Sequence, residues 1–146
     1  MQKRVLIVED DNDILELLKL YLESSNFLVY VAYDGIDALE LLEKEKINII
    51  IADIMMPRMN GYDLIKSVRV NSNIPIIIIS AKNMDSDKIL GLDIGADAYI
   101  TKPFNPLEVV AYVKALLRRY NEFEESNKES DVIKVGELSL DLNKYI

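Results

Sequence analysis

Residues 76–79 are four consecutive isoleucines, running into Ser80-Ala81-Lys82. A strand with one face in water alternates apolar and polar side chains, whereas an unbroken β-branched run needs cover on both faces. Two more segments share this character: Val5-Leu6-Ile7-Val8, which leads into Glu9-Asp10-Asp11, and Ile49-Ile50-Ile51-Ala52, which leads into Asp53. Strand-like segments fall near 4–9, 27–32, 48–53, 75–79 and 98–101, and helix-like segments near 11–25, 34–46, 60–70, 84–94 and 105–120. In the first helical segment Ile14, Leu17, Leu18, Tyr21 and Leu22 recur at the spacing of one helix face. The last opens with Asn105-Pro106-Leu107-Glu108, an Asn cap followed by proline at the first helical position. Five strand–helix units with doubly covered strands predict an α/β fold: a doubly wound, flavodoxin-like (βα)5 parallel sheet of strand order 2-1-3-4-5.

In a parallel sheet the carboxyl ends of all strands share one rim. Asp53 lies there, between its apolar run and the segment Ile54-Met55-Met56-Pro57-Arg58-Met59-Asn60-Gly61, and is expected to face solvent. Strand order reverses between strands 1 and 3, the position where such sheets bind ligands, and this sets Glu9 and Asp10 beside Asp53. Asp11 is expected to cap the first helix. Three clustered carboxylates repel one another and call for a cation. The donors are hard oxygens, with no softer ligand, which selects Mg²⁺. A carboxylate can also attack a phosphoryl donor to form an acyl phosphate, and Asp53 is the most central candidate. Phosphoryl transfer needs charge neutralisation and alignment. Mg²⁺, the Ser80 hydroxyl and the Lys102 ammonium would share that work. A lone lysine is commonly just half of a surface ion pair, but Lys102 directly follows the fifth strand, in Tyr99-Ile100-Thr101-Lys102-Pro103.

The 146 residues suffice for one domain with a real core and are too few for two ordinary ones. Neither cysteine nor histidine occurs, which excludes disulfides, thiolate metal sites and histidine-based catalysis. The net charge of −8 is uneven: residues 1–120 carry 18 acidic and 14 basic side chains, residues 121–146 carry 7 and 3. No basic footprint for nucleic acid stands out. No apolar run is of membrane-spanning length and the first one is too short for a signal peptide, so a cytoplasmic location is expected. Residues 121–131 read as a polar linker. Val132-Ile133-Lys134-Val135 and Leu138-Ser139-Leu140-Asp141-Leu142 read as short strands around Gly136-Glu137, so that 132–146 opens a further, truncated domain. The alternative is a tail folding back on the first domain.

Glu9-Asp10, the segment from Asp53 to Gly61, Ser80-Ala81 and Thr101-Lys102-Pro103-Phe104 together resemble the CheY-like receiver domain of two-component response regulators, over about residues 3–120. The stretch from Gly91 to Glu108 further resembles the OmpR/PhoB-type winged-helix transcription factors, and residues 87–120 are similar to VanR-type regulators. The resemblance implies a receiver at 1–120, a linker at 121–131 and the start of a winged-helix DNA-binding domain at 132–146. It implies that Asp53 accepts a phosphoryl group from a histidine of a sensor histidine kinase. Asp10 would bind Mg²⁺ directly, Glu9 through water and Met55 through its backbone carbonyl. Ser80 and Lys102 would contact the phosphoryl group, with a cis Lys102–Pro103 bond. Ser80 and Tyr99 would form a switch pair, Ser80 moving to the phosphate as Tyr99 turns inward.

The same resemblance implies a phosphorylation-dependent homodimer across the fourth helix, fifth strand and fifth helix. Lys88 would pair with Glu108 and Asp93 with Lys114, around Ile89, Leu92 and Ala111. This chain departs from the family in having Ala98 and Tyr112 where an acid and an arginine usually pair. DNA would be met by the C-terminal domain, not by the receiver. The chemistry would be self-catalysed phosphoryl transfer and autodephosphorylation only, not that of an enzyme acting on other molecules. A flavin or nucleotide binder would want a Gly/Ser/Thr-rich loop where Glu9-Asp10-Asp11 stands. A haloacid-dehalogenase-like phosphatase would want a second Asp at Met55. A stand-alone receiver or phosphate sink is the remaining alternative, and residues 132–142 speak against it.

Overall fold

A computed structural model describes residues 2–133. Strands β1 (Arg4–Val8), β2 (Leu28–Ala32), β3 (Ile49–Ala52), β4 (Ile76–Ser80) and β5 (Ala98–Thr101) alternate with helices α1 (Asn12–Ser24), α2 (Gly35–Lys44), α3 (Gly61–Arg69), α4 (Asp85–Asp93) and α5 (Pro106–Ile133). All strand pairs are parallel, in the order β2-β1-β3-β4-β5 that the sequence predicts.

The unbroken apolar runs are explained by two cores, one on each sheet face. Val5, Ile7, Ile49, Ile51, Ile77 and Ile79 meet Leu15, Leu18 and Leu22 of α1 and Val109, Val113 and Leu117 of α5. The alternate residues Leu6, Val8, Ile50, Ala52, Ile76 and Ile78 meet Ala38 of α2 and Leu64, Ile65 and Val68 of α3. The four isoleucines of β4 are each at most 1% exposed. Burial of such a side chain contributes about 1.5–3 kcal/mol, offset in part by the entropy of ordering it.

Helix starts follow local chemistry. The Asp11 carboxylate accepts the N–H groups of Asp13 and Ile14, Asp34 accepts that of Asp37, and Asn60 that of Asp63. The Asn105 side chain accepts the Leu107 N–H at the start of α5. In α1 the buried stripe is Leu15, Leu18 and Leu22, while Ile14 and Tyr21 lie half-buried at its margin and Leu17 is exposed. The apolar face is therefore wider than the sheet can cover, and the helix settles with Leu15, Leu18 and Leu22 inward. Arg69, ending α3, reaches the start of β5: Nη2 donates to the Gly95 carbonyl (2.7 Å) and to Asp97 Oδ2 (3.1 Å), and Asp97 Oδ2 also takes the Ile76 N–H (2.8 Å).

Residues 121–131, expected as a linker, are helical and continue α5, and Val132 and Ile133, expected in a strand, end that helix. The segment has no Pro or Gly and is rich in Glu. Extending an existing helix avoids the cost of nucleation, so even a polar sequence can continue it. The remainder of the expected second domain, 134–146, lies outside the described residues.

Gly61, the first residue of α3, packs on backbone. A Cβ there would collide with the Asp53 carbonyl oxygen and lie 2.9 Å from Ile54 Cα. Helix propensity alone favours alanine by about 1 kcal/mol. The clash reverses the sign: Gly61→Ala should lower stability by about 1–3 kcal/mol, read by thermal denaturation, and an unchanged or raised Tm would contradict this packing.

Candidate functional site

β1 and β3 are neighbours, and the Asp53 N–H continues their pairing by donating to the Val8 carbonyl (3.0 Å). The residues just past these strands therefore converge. One carboxylate oxygen from each of Glu9, Asp10 and Asp53 lies within 4.8 Å of the others. From the far side of β4, Lys102 Nζ donates to Glu9 Oε1 and to Asp53 Oδ2, both at 3.0 Å. The Lys102 N–H donates to the Ser80 carbonyl (2.8 Å), which ties the lysine to the end of β4. The peptide bond to Pro103 is cis.

Backbone donors hold the other carboxylate oxygens. The Asp11 N–H donates to Glu9 Oε2 (3.2 Å), and the Met55 N–H to Asp53 Oδ1 (3.1 Å). Glu9 and Asp53 are only 3% and 6% exposed, which corrects the expectation of a solvent-facing Asp53. The strand end lies below the loops, with the Lys102 ammonium directly against it. Asp10 is the exposed member of the cluster and makes no hydrogen bond or ion pair among the described residues.

One ammonium faces three carboxylates, and the electrostatics show the mismatch. Burial pushes the Glu9 carboxyl up to about 7; repulsion from Asp53 adds to this, and the Lys102 hydrogen bond opposes it. Burial disfavours the Lys102 charge, but hydrogen bonds to Asp53 and Glu9 outweigh it and the ammonium is held above its ordinary value. A hard, all-oxygen cluster short of positive charge, with a free Asp10, fits a divalent cation of the magnesium type.

Ser80 and Tyr99 sit beside this cluster on neighbouring strands, with Tyr99 opposite Ile78 and Ser80 opposite Thr101. Ser80 is fully buried, and its Oγ accepts the Lys82 N–H (3.1 Å). The Tyr99 hydroxyl donates to the Lys82 carbonyl (2.8 Å). Burial pushes the Tyr99 phenol up, and the nearby Ser80 hydroxyl works against it. The two hydroxyls and the Lys82 peptide thus form one connected group. Met55 has an exposed side chain, so only its backbone belongs to the site.

The fourth-helix, fifth-strand and fifth-helix face is built as an open surface. Ile89, Leu92 and Tyr112 are exposed large apolar groups, and Asp93, Glu108, Ala111 and Lys114 are exposed, with Lys88 half-buried. Leu90 and Leu107, which the sequence reading omitted, are exposed as well. None of the four charged residues forms an ion pair among the described residues. Ala98 is buried among the α1 and α5 contacts and offers little to this surface.

The sequence reading also missed a pair beside the site. Arg58 Nε donates to Asp34 Oδ2 (2.7 Å). An Asp-Gly at a helix start signals the Asp34 cap, but nothing local announces its partner 24 residues later.

The raised Glu9 carboxyl has a sign. Between its unperturbed value of 4.5 and about 7 the folded protein binds more protons than the unfolded chain. This contribution makes stability fall as pH rises through that window and leaves it flat above. In chelator, the fall in Tm from pH 4.5 to 7 should be shallower in Glu9→Gln than in the unaltered protein. An equal or steeper fall in the variant would contradict the electrostatics described.

The sequence matches the response regulator receiver domain family over residues 5–114. Response regulator GtcR of Aneurinibacillus migulanus is 48% identical over 143 residues, covering 96% of this chain and 59% of that protein. Regulatory protein VanR of Enterococcus faecium is 41% identical over 146 residues, covering 99% and 63%. The chain spans about three fifths of the length of the curated relatives it matches. Among solved structures, the Francisella response regulator 1452 receiver domain superposes with a TM-score of 0.79 at 38% identity, covering 82% of this chain and 99% of that one. The BeF3-activated receiver domain of Klebsiella pneumoniae RstA gives 0.76 at 31% identity, covering 80% and 99%. The strand order, the acidic rim and the family match over residues 5–114 agree: this chain belongs to the response regulator receiver domain family.

Proposed function

We propose that this chain is the phosphorylation-dependent receiver of a two-component transcriptional regulator, with Asp53 as phosphoacceptor and a sensor histidine kinase as donor. The observation that carries this reading is Lys102 bridging the buried Asp53 and Glu9 at 3.0 Å, with Asp10 free alongside. An Asp53 oxygen forms the new P–O bond as the P–N bond of the donor phosphohistidine breaks, and the released imidazole takes a proton from solvent. Lys102 is placed to neutralise the incoming phosphoryl oxygens. The Met55 N–H aims the carboxylate, and the Ser80 hydroxyl is placed to turn toward the product. Glu9, Asp10, Asp53 and the Met55 carbonyl would hold Mg²⁺, which when bound supplies the positive charge that Lys102 alone does not. Hydrolysis of the acyl phosphate returns the carboxylate, so the chemistry is self-catalysed rather than enzymatic toward other molecules.

The donor histidine is on a protein, which needs a surface to dock on. Ile14, Leu17, Pro103 and Phe104 line an apolar hollow next to Lys102 and provide one. Among the described residues no helix is long and apolar enough to cross a membrane, and the reading places the chain in the cytoplasm. Output is proposed to pass through pairing of phosphorylated receivers to a C-terminal DNA-binding domain. The unpaired charges and apolar groups of the α4, β5 and α5 face suit a two-fold contact.

Incubation with acetyl phosphate and Mg²⁺ should add one phosphoryl group by mass spectrometry, and Asp53→Ala should remove it. That variant relieves repulsion on Glu9, so its Tm should stay level or rise. Phosphorylation persisting in Asp53→Ala would overturn the assignment. Mg²⁺ affinity should be about millimolar, as for a site with few protein ligands and several retained waters, and Asp10→Asn should weaken it.

A phosphate mimic should convert a monomer into a dimer in sedimentation. Glu108→Lys should weaken that dimer, and adding Lys88→Glu should partly restore it. With Ala98 and Tyr112 in place of an ion pair, salt should weaken this dimer less than a relative that retains one. A mass unchanged by the mimic well above micromolar concentration would refute the pairing.

A further inference from the structure

The loop that carries Met55 is fastened at two places, and one lies outside the site. At its end, the Gly61 N–H donates to the Ile54 carbonyl (3.0 Å), and Gly61 packs on the Asp53 backbone. In its middle, Arg58 adopts a left-handed conformation with φ 63°. That conformation is uncommon for a residue with a Cβ and persists where surrounding contacts hold it. Those contacts are at the start of α2. Arg58 Nε donates to Asp34 Oδ2 (2.7 Å), and Nη2 donates to Asp34 Oδ1 (3.1 Å) and Asp37 Oδ1 (2.9 Å).

Asp34 is itself fixed. It is 6% exposed and accepts the Asp37 N–H (2.9 Å) as the cap of α2. The Arg58 guanidinium holds its carboxyl below the usual range. Beside it the Gly35 N–H donates to the Met59 carbonyl (3.1 Å), and a Cβ on Gly35 would lie 2.7 Å from Met59 Cγ. A forked guanidinium–carboxylate pair fixes orientation as well as distance. The loop is thus docked on α2 by side chain and by backbone.

We propose that Arg58 and Asp34 are positioning residues for the metal site, holding the loop after β3 in the register that presents the Met55 carbonyl to the acidic cluster. This rests on the receiver reading, in which that carbonyl is a ligand. Neither residue hydrogen-bonds Glu9, Asp10, Asp53 or Lys102 among the described residues. Mg²⁺ tolerates little departure from octahedral geometry. A ligand supplied by loop backbone is therefore only as good as the register of the loop. Met56 and Met59 pack against the core, but Met55, Pro57 and Arg58 are exposed, so burial holds only part of this loop.

The test is Mg²⁺ titration of the chain followed by nuclear magnetic resonance, with thermal denaturation in parallel. Arg58→Ala should weaken Mg²⁺ binding about tenfold, as expected for residues that orient a ligand. Arg58→Gly relieves the left-handed backbone and separates stability from positioning: its Tm should exceed that of Arg58→Ala while its Mg²⁺ affinity is equally low. Arg58→Lys keeps the charge without the fork and should fall between. Arg58→Ala combined with Asp34→Asn should bind no more weakly than the worse single variant, since both break one clamp. Asp10→Asn is the control. If it loses Mg²⁺ while Arg58→Ala and Arg58→Gly keep unaltered affinity, the pair is only structural and the proposal is overturned. If Asp10→Asn binds as the unaltered protein does, the metal assignment itself fails and the clamp proposal falls with it.

Discussion

Because the interiors of β1, β3 and β4 are covered on both faces, a charged group cannot be placed there without burying it unpaired. The first position open to charge is the residue past each strand. Glu9 and Asp53 occupy such positions after β1 and β3, and Lys102 the matching one after β5, so the parallel topology that buries the isoleucines also gathers the charges at one rim. Crowding then does the rest. A single ammonium lies between two buried carboxylates; burial first, and repulsion from Asp53 after it, push the Glu9 carboxyl up. Fold and site are in this sense two results of one constraint.

How much of this could be read in the sequence depends on whether the relevant signal is local. The sheet order, the convergence of Glu9, Asp10 and Asp53 and the reach of Lys102 follow from strand ends and topology, and these features were legible. The caps at Asp11 and Asn105 were equally local. The burial of Asp53 was not legible, because strand position says nothing of how deeply the loops above enclose it. The rotation of α1 toward Leu15 was hidden by an apolar face broader than its contact. Arg58 carries no signal at all, since its partner lies in another unit.

The extension of α5 belongs to a different class. The polar stretch after Tyr120 has too little to bury to fold alone, which is why it reads as a linker. Attached to a helix already packed by Val109, Val113 and Leu117, it continues that helix. Composition describes what a segment would do in isolation, and here the neighbouring segment decides.

The close packing of Gly61 on the Asp53 backbone divides the rim by compliance. On the α3 side main chain rests on main chain, with no side chain between to yield. On the α4 side the contact is softer. Gly91 rests against the Tyr99 ring and the end of Ile78, and Met84, Ile89, Leu90 and Leu92 are exposed. Strain on the main chain at the end of β3 would meet a wall toward α3 and a spring toward α4.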